Sequence, residues 1–107
     1  MADNSTLNNR LIPTVQYAAP TTGQTITASS SANVFLMINP AGTLLALTLA
    51  LPASPSDGDK LTFGSSQAVT GFTMSGGTII GPLTTMAVAT FASYVFSATS
   101  GSWFRMG

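Results

Sequence analysis

The charged side chains that could do acid–base or metal chemistry in this chain are few enough to name: Asp3, Arg10, Asp57, Asp59, Lys60 and Arg105, with no Glu, His or Cys beside them. Asp57 and Asp59 are the one close carboxylate pair. A glycosidase needs two carboxyl groups facing each other across a cleft, whereas Asp57-Gly58-Asp59 sits in a run of Ser, Pro and Gly that reads as a turn. The same pair could lend oxygens to Ca²⁺, which takes about six to eight hard ligands. Two carboxylates and a few carbonyls fall short of that within one chain, although a symmetry axis could gather copies. Lys60 could act as base to one of the many serines, but beside Asp59 in a polar turn it should stay solvated and protonated. Transition metals would find neither imidazole nor thiolate. The expectation is a protein that is not an enzyme and carries no cofactor.

Nucleic acid is an equally poor fit, because displacing counterions from phosphate takes clustered basic side chains. Arg10, Lys60 and Arg105 are scattered and the isoelectric point is about 5.8. Arg10 is better suited to a carboxylate on a partner protein, and Arg105, close to Trp103, to stacking on an aromatic ring or pairing across subunits. Charge poverty says more than any single charge. An ordinary domain carries about a quarter of its residues as Asp, Glu, Lys or Arg; here the figure is 6%, with net charge +0 and 45% hydrophobic residues. A folded chain of 10.9 kDa exposes roughly 5,600 Å², so each charge serves about 900 Å² of surface. Without interspersed charge or a net charge to keep copies apart, self-association is expected, unless Ser, Thr and Asn hydrate the surface alone.

The elements that must position these residues read as β-structure. Short runs rich in β-branched and aromatic residues alternate with Gly, Pro, Asn, Asp and Ser clusters, predicting strands near 24–28, 34–38, 44–51, 60–64, 71–74, 78–80, 84–90, 94–98 and 103–106. The punctuation is that of an all-β fold, taken as an antiparallel sandwich, barrel or prism-like module with an extended N-terminal arm. Residues 1–20 form the arm and 21–107 a single domain. Leu7, Arg10, Leu11, Ile12 and Tyr17 give the arm something to dock with, whether it orders on a partner or merely frays. The opening MADNSTLNNR lacks the basic end and apolar run of a secretory signal, so the chain is expected to stay in the cytoplasm that makes it. The apolar stretch from Val34 to Leu51 is interrupted by Asn39, Pro40 and Gly42, too short in each piece to span a bilayer as a helix, and no membrane partner is expected.

Period-two alternation marks buried faces. Leu45, Leu47, Leu49 and Leu51 make one leucine face, and Leu61 with Phe63, Phe72 with Met74, Met86 with Val88 and Tyr94 with Phe96 repeat the pattern. Phe35, Met37, Trp103, Phe104 and Met106 add large apolar groups, for which core packing is the commoner use and an interface the other. No repeat of about 20 to 50 residues is visible.

The run LTLALPASPSDGDKLTF, followed by SGGTIIGP and YVFSATSGSWFRM, resembles a β-rich module of tailed-bacteriophage virion proteins, found in head-decoration and fibre proteins. The likeness covers about Leu47 to Gly107 and rests on turn chemistry: a strand ending in Leu-Pro, a Pro and Asp/Gly turn, a Gly-Thr-Ile-x-Gly turn and an aromatic closing strand led in by Gly-x-Trp. The likeness does not extend to Met1 to Ala46. The resemblance implies a homotrimer. Together with the charge argument it leads to an expected function: a capsid decoration protein of the virion, bound to the major capsid protein by its arm and by Trp103 and Arg105, cementing the shell by buried apolar area at about 25 cal/mol per Å². A short head fibre, tail fibre or baseplate part touching the host through Tyr17, Tyr94 or Trp103 is the alternative, with a small carbohydrate-binding module as a third.

Overall fold

The computed structural model describes residues 13–107; Leu7, Arg10, Leu11 and Ile12 lie outside the described residues. The chain is all-β, with strands β1 (Thr14–Ala18), β2 (Thr25–Thr27), β3 (Asn33–Ile38), β4 (Leu47–Ala50), β5 (Lys60–Ser65), β6 (Phe72–Ser75), β7 (Thr78–Ile80), β8 (Thr90–Ser97) and β9 (Ser102–Arg105). They form a six-stranded sheet in the order β1-β3-β5-β8-β9-β7 and a three-stranded sheet in the order β2-β4-β6.

The antiparallel expectation is overturned. β1 with β3, β3 with β5, β2 with β4, β4 with β6 and β7 with β9 all run parallel, and only β8 is antiparallel to its neighbours β5 and β9. Parallel neighbours need a crossover between them: from β1 to β6 each crossover is a strand of the other sheet, and between β7 and β9 it is β8 of the same sheet. Turn-rich segments that read as hairpin loops are corners of a winding chain. The arrangement is solenoid-like, with Thr14 opposite Val34, Val34 opposite Leu61, Thr48 opposite Thr73, a rise of roughly 20 to 27 residues per coil that falls in the range of solenoid repeats. A short third side closes the coil where Leu44 and Met86 both pair with Val69.

Successive coils stack their inward residues. Val34, Leu36 and Ile38 of β3 lie over Leu61, Phe63 and Ser65 of β5, while Leu47 lies over Phe72 and Leu49 over Met74. Phe63 joins the layers: its ring stacks on Tyr94 at 5.9 Å between centroids and meets Phe72 of the other sheet at 5.6 Å. Trp103 packs on Phe96 at 5.4 Å. The Tyr94 hydroxyl donates to the Gly81 carbonyl at 2.7 Å, satisfying its polar end inside the core.

Three further expectations change. Thr14–Ala18, placed in the arm, is a strand along the sheet edge. The strand expected over 84–90 does not form, Thr90 belonging to β8; Met86 alone bridges to Val69, and Ala89, in the left-handed region at φ 58, leads the chain into β8. Leu45 is 73% exposed and does not join Leu47, Leu49 and Leu51 in the core, because the chain turns a corner between Leu44 and β4.

Candidate interaction surface

Strand alternation sends half the residues of the six-stranded sheet outward, and the large ones among them are mostly apolar. Val34, Leu36 and Ile38 point in, so Phe35 and Met37 point out. Register carries the pattern across the sheet: Val15 stands beside Phe35, then Thr62 and Ser93, with Met106 reached through its N–H bond to the Ser93 carbonyl. A second row runs Tyr17, Met37, Gly64, Phe91. A third runs Asn33, Lys60, Val95, Phe104, Ile80. Lys60, at the start of β5, is the one charged side chain in these rows among the described residues. Tyr17 is 62%, Met37 50% and Phe91 66% exposed.

The face has relief. Its middle strand, β5, presents Thr62 and Gly64, with Thr62 and Ser93 hydroxyls paired at 3.2 Å. Larger side chains stand on either side: Phe35 and Met37 on β3, Phe91 on β8, Phe104 on β9. The outcome is a groove of about 440 Å³ floored by Gly64 and walled by Tyr17, Met37 and Phe91. Tyr17 is held at its rim by Asn39, whose Nδ2 donates to the phenol oxygen at 3.0 Å, and Asn39 in turn accepts from Ser66 Oγ at 2.6 Å.

The charged turn is occupied with its own backbone. Asp59 Oδ2 accepts from the Ser56 N–H at 2.9 Å and Asp57 Oδ1 from the Ala98 N–H at 2.8 Å. The first bond closes the turn and the second ties it to the end of β8, and a polar hollow of about 340 Å³ opens beside it. No group of three or more potential metal-ligating side chains occurs among the described residues.

Of the residues singled out in the sequence, Tyr17 is on the outer face. Trp103 is not: it is 2% exposed and packs inward, as does Tyr94, so neither indole nor phenol is available to a partner or a glycan in this fold. Arg105 shares the inward row with Tyr94 but reaches solvent, its Nε donating to the Gly107 carbonyl at 3.0 Å. Phe35, Met37 and Phe104, for which core packing is the commoner use and an interface the other, stand on the outer face, as do Phe91 and Ile80. In NVFLMI both Val34, Leu36, Ile38 and the pair Phe35, Met37 are apolar, and the fold buries the first set and exposes the second. Burial pushes the Tyr94 phenol above its usual range, partly offset by the nearby Arg105 charge and a backbone hydrogen bond from Leu83. A comparison of the sequence with family models and with curated proteins finds no match.

Proposed function

We propose that this chain is a structural protein of a phage virion, a decoration protein that binds the outer capsid lattice as a homotrimer and stabilises the shell. The observation that carries the reading is the outer face of the six-stranded sheet, where large apolar groups stay exposed in a chain with six charged side chains. Contiguous exposed apolar patches mark docking surfaces, and a charge-poor surface does little to oppose association. The phage resemblance of Leu47 to Gly107 supplies the setting. The work done is mechanical: buried area adds cohesion to a shell. In purified particles the chain is expected in hundreds of copies, as a decoration protein must cover a lattice, and recombinant protein is expected to bind expanded heads as a trimer. A protein that stays monomeric and leaves such heads bare would end the proposal.

A short head or tail fibre is the second reading, favoured by the winding coils, since stacked coils suit a shaft. Copy number by gel staining of particles separates the two, a fibre being present in only a few copies.

A further inference from the structure

We infer that the outer face of the six-stranded sheet is where copies of this chain meet, with the β3 ridge of one copy, Phe35 and Met37, seated in the groove over Gly64 of the next. The inference rests on the self-association in the proposed function and assigns it a place. Three observations favour a second copy over a foreign partner.

The first is area. Tyr17, Phe35, Met37, Ile80, Phe91 and Phe104 are all exposed on this one face, spread over five of the six strands of the sheet, the extent of a protein interface rather than of a single side-chain pocket. The second is shape. The face carries both parts of a fit, since a ridge of Phe35 and Met37 on β3 stands beside a groove of about 440 Å³ whose floor is a glycine. A Cβ on Gly64 would come within 3.3 Å of the Thr90 carbonyl oxygen, so the floor stays low. An aromatic or thioether side chain is the right bulk for that groove, and Met adapts to irregular apolar walls. The third is charge. Lys60 stands at the edge of the face, the chain is neutral overall, and two copies therefore meet without like-charge repulsion. A foreign partner recognised by charge would find nothing to pair with in the middle of the face.

The test uses the full chain. Wild-type protein is expected to sediment as a defined oligomer, and Met37→Lys and Phe91→Lys to weaken it by about 100-fold while keeping the β-type circular dichroism, because both side chains already reach solvent in one copy. Leu45→Lys, on an exposed position off this face, should leave assembly intact. The chain has no cysteine, so single replacements report accessibility cleanly: Met37→Cys should react with a maleimide far more slowly than Leu45→Cys in the assembled protein. That measurement decides the matter even if the lysine variants misfold. Equal labelling of the two cysteines in an intact oligomer would overturn the assignment of the face and leave self-association standing. A wild-type chain that is monomeric at the highest concentrations tested would overturn both.

Discussion

Gly76 and Gly58 both hold a positive φ, +98° and +85°, yet their surroundings differ. A Cβ at Gly58 would enter open space, while one at Gly76 would lie 2.9 Å from both the N and the O of Leu51, against backbone that already bonds to the Ser75 carbonyl. Gly58→Ala should therefore cost only the left-handed conformation, about 1 kcal/mol. Gly76→Ala adds a clash that only backbone movement relieves and should cost about 3 kcal/mol or more, measured by urea denaturation of both variants. Tyr94 gives the second expectation at this scale. Below pH 10 its phenol is protonated folded or unfolded; above it the unfolded chain ionises first while burial keeps the folded phenol protonated, so stability falls as pH rises. Tyr94→Phe should flatten that alkaline decline in melting temperature, at a cost of about 1 kcal/mol at neutral pH for the lost bond to Gly81.

At the scale of the strand, Leu45 and Leu47 separate what alternation alone merges. Leu47→Asp buries an unpaired carboxylate and should unfold the domain, whereas Leu45→Asp should shift stability by less than about 0.5 kcal/mol, as read by thermal melts. The strand positions were largely legible: Lys60–Ser65, Phe72–Ser75 and Thr78–Ile80 announce themselves by β-branched or aromatic runs between Gly and Pro. Their partners were not. Parallel and antiparallel strands draw on the same residues, and the pairing of Val34 with Leu61 depends on corners at Asn39-Pro40 and Ser54-Pro55 that resemble hairpin turns in composition. The coil repeat is not legible in the sequence because only inward positions match in type, Leu36 with Phe63 and Leu49 with Met74, while corner lengths vary. The outer face was half legible. Tyr17 stood out beside the arm, but Phe35 and Phe91 look like core residues until register shows which side they take. Trp103 misled for the opposite reason, since a lone tryptophan near an arginine suggests a contact and here fills the interior.

For the molecule as a whole, the balance of sparse charge and exposed apolar area predicts association that strengthens with salt rather than weakening, because no ion pairs are needed to hold the face closed and excluded salts such as sulfate favour apolar burial. Sedimentation in rising sodium sulfate should show the oligomer persisting to lower protein concentration; dissociation by salt would point to a charged interface instead. The strand order has a consequence of another kind. β8 and β9 are wedged between β5 and β7, and β8 alone opposes the common direction of the six-stranded sheet. The winding thus ends in a reversal that cannot be continued by the same rule, whereas ahead of it every turn rests on the one before. A duplicated turn spliced in ahead of Lys60 would lengthen the stack by about 4.8 Å and leave its terminus unchanged, making the wedge a stop and the number of preceding turns a ruler.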